Sequence, residues 1–187
     1  MSEVKRRHAG GYELTRPVYF IGFMGAGKTT ISGYLANTLS LPRIDADEYL
    51  ELQEDRAIAD IFAEEGEDAF RDLETKYLEF LSSRSPRFIG CGGGVVKRAA
   101  NVAVMKRTGY VVFLGATAEE AASRIPNTAS RPLFKDIENA RRTIAERQPL
   151  YEAAADAYVD TTGRTVRDIA EEVESILLEN GILMKDE

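Results

Sequence analysis

The chain has 187 residues, 44% hydrophobic and 29% charged, which is typical of a single globular domain. Its 24 basic and 31 acidic residues give a net charge of −7, which argues against nucleic acid as a partner. No apolar run approaches the roughly 18 residues of a membrane span, so we expect no membrane partner. The only cysteine, Cys91, allows no internal disulfide, and no signal-like apolar stretch follows the first residues; both favour a cytoplasmic protein.

Short apolar runs alternate with segments of helical periodicity along the chain. In chain order the pattern predicts a strand at 18–21, a helix at 28–39, a strand at 43–45, a largely helical stretch at 48–82, a strand at 87–91, a helix at 99–107, a strand at 110–114, helices at 118–124 and 137–154, a strand at 158–160 and a helix at 166–179. This alternation predicts an α/β fold with a central parallel sheet covered on both faces by helices. Ligands of such sheets bind beyond the carboxyl ends of the strands. Residues 1–16 are predicted to be a flexible extension.

The strongest motif follows the first of these strands. Residues 22–29 match the pattern G-x-x-x-x-G-K-[ST] in full, between a predicted strand and a predicted helix. Glycines allow successive backbone N–H groups to face one anion, and the following helix adds the positive end of its dipole. Lys28 supplies a charge for the β- and γ-phosphates and Thr29 a hydroxyl for Mg²⁺. The motif predicts binding of a nucleoside triphosphate.

Two carboxylates, Asp45 and Asp47, end the second predicted strand. In an extended chain, residues two apart point to the same side, so both carboxylates would face one cleft. One could hold the metal through water while the other accepts a hydroxyl proton. The alternative is that this acidic pair only caps the following helix.

An arginine and a glutamate three residues apart follow in the helical stretch. Glu74 is placed to orient the guanidinium of Arg71, which would then offer a fork to a substrate carboxylate. The alternative is a surface ion pair worth less than about 1 kcal/mol.

Three consecutive glycines, residues 92–94, follow the strand at 87–91. Without side chains there, a ligand can approach the backbone closely. The alternative is that the glycines form only a flexible loop. Cys91 is expected to be a packing residue, because the only histidine, His8, lies in the tail and cannot activate a thiol.

Further arginines lie in the second half of the chain. Arg124 and Arg131 flank a short polar segment that we interpret as a mobile lid, which would exclude water from a phosphoryl transfer. The alternative is an ordinary loop with exposed arginines. Arg147 lies on a late helix, just before Pro149.

Taken together, these motifs resemble the shikimate kinase family in sequence and in order. The resemblance covers about residues 18–173. It rests on six segments: the phosphate loop at 21–30, Ile-Asp-Ala-Asp at 44–47, the stretch from 61 to 74, the triple glycine, and the motifs Arg-Pro-Leu at 131–133 and Arg-x-Pro-Leu-Tyr at 147–151. It implies a three-layer α/β/α P-loop kinase fold over 17–187, with a helical substrate-binding region at about 45–82 and a mobile lid at about 124–136.

The resemblance also implies an activity and its residues. The activity is transfer of the γ-phosphoryl group of ATP to the 3-hydroxyl of shikimate, with Mg²⁺, in chorismate and aromatic amino acid biosynthesis; we expect a monomer. The implied catalytic residues are Lys28, Asp47 and Arg131. ATP binding is assigned to Gly25, Ala26, Gly27, Lys28, Thr29, Thr30, Arg124 and Arg131, and the metal to Thr29 and Asp45. Shikimate binding is assigned to Asp47, Arg71, Gly92, Gly93, Gly94 and Arg147.

Two alternatives remain at this stage. A gluconate kinase would share the phosphate loop, but we would not expect the combination of Asp45, Asp47, Arg71 and the triple glycine. A nucleotide-binding regulator without a small acceptor predicts that Arg71 and Arg147 face solvent instead of converging. The segment at 161–165 lacks a proline found in some members of the family, which leaves the adenine contacts open.

Overall fold

The computed structural model describes residues 11–124 and 137–185. In chain order its strands are β1 (Tyr12–Leu14), β2 (Val18–Ile21), β3 (Arg43–Asp45), β4 (Phe88–Gly90), β5 (Tyr110–Gly115), β6 (Ala157–Asp160) and β7 (Leu183–Lys185). Its helices are α1 (Lys28–Leu39), α2 (Ala46–Glu54), α3 (Ile58–Ser82), α4 (Ala99–Thr108), α5 (Ala118–Ser123), α6 (Ile137–Ala154) and α7 (Val166–Glu179). A short 3₁₀ turn, Val95–Lys97, lies between β4 and α4. No helix among the described residues is long and apolar enough to cross a bilayer.

Five strands form one parallel sheet in the order β3-β4-β2-β5-β6. Strand β2 therefore lies at the centre, and the phosphate loop that follows it leaves the sheet between β4 and β5. Because β2 and β4 run parallel in register, with Phe20 opposite Gly90, the loops that follow them emerge at the same edge. This edge is where the sequence analysis placed the ligands.

Helices cover both faces of the sheet. Alternate residues of β2 separate into two cores: Val18 and Phe20 pack with α1 and α7, and Tyr19 and Ile21 pack with α3, α4 and α6. The alternation follows from the two-residue period of a strand, and it requires apolar residues at every position of a central strand. The predicted three-layer α/β/α fold is confirmed.

The expectation of a flexible extension over residues 1–16 is wrong for its last part. Strand β1 pairs antiparallel with β7, and Leu14 lies opposite Leu183. Both leucines are buried in the core beneath α1 and α7, so this second, two-stranded sheet is held by apolar burial. Neither strand was predicted from the sequence.

Helix α3 is divided by Gly66, whose φ of 86° and ψ of 176° lie outside the helical region. Only glycine adopts such a conformation without strain, so the kink is encoded by the sequence. The segment after the kink carries Arg71 and Glu74 toward the sheet edge, and the helix buries Tyr77, Leu78 and Leu81.

Candidate active site

The phosphate loop adopts a conformation that depends on its glycines. Gly22, Gly25 and Gly27 all have positive φ angles, of 143°, 80° and 97°. A Cβ atom on Gly25 would lie 2.4 Å from the carbonyl oxygen of Ala121, so that position also excludes larger residues on steric grounds. No side chain caps α1 at Gly27, which leaves the first N–H groups of the helix available to an anion.

Lys28 lies at the start of α1, with its side chain folded over the loop. Its Nζ donates to the carbonyl oxygens of Gly22 and Phe23, at 2.8 and 2.9 Å. These bonds hold the ammonium beside the N–H groups of the loop, where a polyphosphate would meet both.

The carboxylates of Asp45 and Asp47 differ in geometry from the expectation. Asp45 is the N-cap of α2: its Oδ1 accepts from the N–H groups of Asp47 and Glu48, at 3.1 and 3.3 Å. Asp47 therefore lies in the first helical turn, and the predicted extended chain across both residues is wrong. Capping consumes only one oxygen of Asp45, because its Oδ2 accepts from the hydroxyl of Thr29 at 3.3 Å. The capping alternative and the site interpretation thus both apply to Asp45.

Asp47 lies in an environment that favours its protonated form. Burial, helped by the neighbouring carboxylates of Asp45 and Glu74, raises the pKa of Asp47 from 3.8 to about 6, against the opposing charges of Lys28 and Arg71. Asp47 therefore lies within electrostatic range of both Lys28 of the phosphate loop and Arg71.

Arg71 and Glu74 form a buried ion pair, with exposed fractions of 9% and 6%. Nη1 of Arg71 donates to both carboxylate oxygens of Glu74, at 2.9 and 2.8 Å. The opposite edge of the guanidinium, Nε and Nη2, donates to Glu67 at the longer distance of 3.3 Å. The alternative of a surface ion pair is therefore wrong, because tertiary packing removes this pair from water.

The triple glycine, residues 92–94, lies beside the charged side chains described above, and we call it the glycine floor of the site. A Cβ atom on Gly92 would lie 2.7 Å from Oδ1 of Asp47, and one on Gly94 would lie 2.2 Å from Nη2 of Arg71. The carbonyl oxygen of the middle glycine, Gly93, accepts from Nη1 of Arg147 at 3.4 Å. Three consecutive positions therefore contact the three charged groups that were assigned to substrate binding.

A hydrogen bond from a buried tyrosine holds the glycine floor in place. The hydroxyl of Tyr151 donates to the carbonyl oxygen of Gly93 at 2.5 Å, and its ring stacks on Phe113 of β5 with centroids 5.0 Å apart. Tyr151 is buried one helical turn after Arg147 on α6, so the same helix places the guanidinium and the support beneath it.

A cleft of about 720 Å³ extends from this floor across the phosphate loop to the start of α7. At its far end Arg124 donates to the hydroxyl and carbonyl oxygens of Thr161, at 2.8 and 2.7 Å, and to Glu120 at 2.9 Å. The cleft walls there also include Arg164, Val166 and Ile169. A cleft of this size is typical of a small-molecule or nucleotide site.

Most of the predicted site residues line this cleft, and some residues that line it were not predicted. The lining includes the predicted Gly25, Ala26, Gly27, Lys28, Thr29, Thr30, Asp45, Asp47, Gly92, Gly93 and Arg124. Arg164, Val166 and Ile169 were not proposed, although they follow β6 at the same sheet edge, which was the available signal. Cys91 is buried and its pKa is raised by burial, as suits a packing residue. Arg131 and most of the predicted lid lie outside the described residues.

The parallel sheet and the phosphate loop at its centre define the class of the protein as a P-loop protein that binds nucleoside triphosphates. Helix α1 presents its N-terminus to the cleft, which Asp47 of α2 also lines. Arg147 of α6 and Arg71 of α3 do not line the cleft itself but lie against Gly93 and Gly94 beside it.

Comparison with known proteins narrows this class: the chain belongs to the shikimate kinase family. The family profile described as shikimate kinase matches residues 24–177. A shikimate kinase of Dehalococcoides mccartyi is 39% identical over 166 residues, which cover 86% of this chain and 92% of that protein. A shikimate kinase of Bacillus mycoides is 39% identical over 160 residues, covering 84% of this chain and 96% of that protein.

Solved structures agree with the sequence comparison. The shikimate kinase of Acinetobacter baumannii, solved in complex with shikimate, superposes with a TM-score of 0.81 at 34% identity and covers 88% of this chain and 94% of its own. A gluconokinase of Sinorhizobium meliloti superposes with a TM-score of 0.56 at 17% identity, covering 90% of this chain and 94% of its own. The second likeness shows a shared fold alone.

Proposed function

We propose that the chain transfers the γ-phosphoryl group of ATP to the 3-hydroxyl group of shikimate, yielding shikimate 3-phosphate and ADP. The observation that carries the proposal is the triple glycine. Its three positions make room for a carboxylate, Asp47, and two guanidinium groups, Arg147 and Arg71, within the reach of one small ring. Membership of the shikimate kinase family supports the choice of acceptor.

The two guanidinium groups would bind the carboxylate of the acceptor. Arginine matches a carboxylate with paired N–H donors, which lysine cannot do. Arg71 is held by Glu74 through one edge, and its other edge contacts Glu67 at 3.3 Å. Glu67 is 46% exposed, so it is the partner that an incoming carboxylate would displace.

Asp47 would bind the acceptor alcohol at the other end of the ring. Its ionised form accepts the hydroxyl proton as the oxygen attacks the γ-phosphorus, and the bond from that phosphorus to the β-γ bridging oxygen breaks to release ADP. Lys28 neutralises the negative charge of the transferring group. Since phosphoryl transfer depends mainly on positioning and charge, one carboxylate of modest basicity is sufficient.

The residues beside the phosphate loop fit a magnesium ion. Thr29 and Asp45, whose side-chain oxygens lie 3.3 Å apart, offer only oxygen ligands, which Mg²⁺ prefers. Thr29 would hold the ion directly and Asp45 through water. When bound, Mg²⁺ offsets the charge of the β- and γ-phosphates. We expect turnover to stop when EDTA removes the metal and to return when Mg²⁺ is restored.

The remaining assignments rest on the resemblance. Arg131, in the Arg-Pro-Leu motif, would be a second cation for the γ-phosphate on a lid over 124–136, and Arg124 would contact the adenine. We further propose that the protein works as a monomer in the cytoplasm, where its single cysteine stays reduced.

The structure argues against a regulator without an acceptor. That alternative predicts Arg71 and Arg147 in solvent, whereas both converge on consecutive glycines and Arg71 is buried. Burying a guanidinium carries a desolvation cost that an exposed arginine of such a regulator would not incur.

ADP release measured with a coupled assay tests the proposal. ATP and Mg²⁺ are supplied with shikimate, with gluconate or with no acceptor, and we expect turnover with shikimate alone. Replacing both Arg71 and Arg147 with alanine should remove this turnover and preserve ATP binding measured by calorimetry. Equal rates under the three conditions would contradict the proposal.

A further inference from the structure

We propose that Asn101, on α4, is a positioning residue that fixes the guanidinium of Arg71 through the carboxylate of Glu74. The inference rests on the proposed function, because it concerns the site for the carboxylate of shikimate. No motif in the sequence pointed to Asn101, and it does not line the cleft.

Asn101 is fully buried, and both ends of its amide are engaged. Nδ2 donates to Oε2 of Glu74 at 3.1 Å and to the carbonyl oxygen of Val95 at 3.0 Å. Oδ1 accepts from the hydroxyl of Thr75 at 2.6 Å. The opposite amide orientation would turn a carbonyl toward two acceptors, so the network fixes the orientation of the side chain.

Glu74 depends on this donor because it is itself buried. Its carboxylate accepts two bonds from Nη1 of Arg71, and Asn101 supplies a third from the other side. Burial raises the pKa of Glu74, so each donor to its ionised form counts in keeping it charged. A carboxylate without the third bond is free to rotate about its terminal torsion, and the guanidinium moves with it.

The bond to Val95 extends the same control to the glycine floor. Val95 opens the 3₁₀ turn directly after Gly94, and a Cβ on Gly94 would lie 2.2 Å from Arg71. One amide therefore sets the distance between the guanidinium and the backbone beneath it. An apolar side chain of similar shape would fill the same volume, but it would leave the carbonyl oxygen of Val95 and one oxygen of Glu74 without this donor, so the amide does more than fill space.

The test replaces Asn101 with leucine, which resembles asparagine in shape and removes the hydrogen bonds without adding charge. The matched control is Thr108→Val, on the same helix, which removes a hydroxyl bonded to Tyr19 at 2.7 Å and to Val104 at 2.7 Å, away from Arg71. Steady-state kinetics give the KM for shikimate, the KM for ATP and kcat, with thermal unfolding recorded for each variant.

We expect Asn101→Leu to raise the KM for shikimate about tenfold to hundredfold, as for the loss of a bond to a charged group, with the KM for ATP within about twofold of wild type. Thr108→Val should leave both KM values unchanged. A folded Asn101→Leu with an unchanged KM for shikimate, or with both KM values raised together, overturns the inference.

A second variant keeps the test decisive where Asn101→Leu does not fold. Thr75→Val removes the hydroxyl that lies 2.6 Å from Oδ1 of Asn101 and 3.0 Å from the carbonyl oxygen of Arg71, and leaves the amide itself in place. We expect a smaller rise in the KM for shikimate, about three- to tenfold; an unchanged KM again refutes the inference. A wild-type protein that does not phosphorylate shikimate refutes the proposed function and this inference with it. A wild type that does, with variants that match the Thr108→Val control, refutes this inference alone.

Discussion

Replacing Asp47 with asparagine is expected to make the free protein more stable while it removes activity. Burial, with the charges of Asp45 and Glu74, raises the pKa of Asp47 from 3.8 to about 6 in the folded protein. The folded state thus binds this proton more tightly than the unfolded chain does. The contribution of Asp47 to the free energy of unfolding is fully present below pH 3.8 and is lost as the pH rises from 3.8 to about 6.

The size of the effect follows from that interval. Each pH unit between the two pKa values corresponds to about 1.4 kcal/mol, so ionising Asp47 in the folded protein costs about 3 kcal/mol by pH 7. Asparagine is isosteric and carries no charge, so Asp47→Asn should raise the free energy of unfolding at pH 7.5 by up to about 3 kcal/mol. Turnover of shikimate should fall at least about 100-fold, because the proton acceptor is gone.

Urea unfolding of both proteins between pH 4 and pH 8 measures the difference. We expect the advantage of Asp47→Asn to grow between pH 4 and about 6 and then to stay level. Asp68→Asn is the matched control, because the side chain of Asp68 is fully exposed, and its difference from wild type should not follow this profile. A variant that is no more stable than wild type at pH 7.5, or a difference that does not change with pH, refutes the reasoning.

Three further substitutions test other parts of the structure. Arg71→Lys keeps the charge but loses the paired donors, so the KM for shikimate should rise about tenfold or more in steady-state kinetics, with an unchanged KM as the contrary result. Gly92→Ala would place a Cβ 2.7 Å from Asp47, so kcat/KM for shikimate should fall at least about tenfold while calorimetry shows ATP still bound. Gly33→Ala lies inside α1 with no atom within 4 Å of the added Cβ, so urea unfolding should show a gain of about 0.5–1 kcal/mol; a loss would contradict the helical environment.

The phosphate loop and the sheet could be predicted because their signals are local. The loop needs glycines at fixed spacing, and each central strand is an uninterrupted apolar run. Each of these elements is therefore specified by residues that are close together in the sequence. Helices α1, α6 and α7 begin and end at the predicted residues for the same reason.

The features that the sequence did not reveal depend on distant partners. Strands β1 and β7 are three residues each, and they form only because segments about 170 positions apart meet. Arg71 and Glu74 have the same spacing as any surface pair on a helix, and only the packing of α3 against α4 and the glycine floor buries them. No sequence motif marks Asn101, and its proposed role depends on hydrogen bonds to Glu74 and Val95 that only the folded chain brings within reach.

Short-range contacts of this kind also explain how a protein with a net negative charge can bind two anionic substrates. A net charge of −7 provides no attraction for ATP or for a carboxylate at long range, and salt screens such a field within about 8 Å. Binding must therefore come from donors that touch the ligand; in the proposed site these are the loop N–H groups and Lys28 at one end and Arg71 and Arg147 at the other. Glycines are required at both ends, because only a backbone without side chains lets these donors and the substrate approach one another closely enough for such contacts to act.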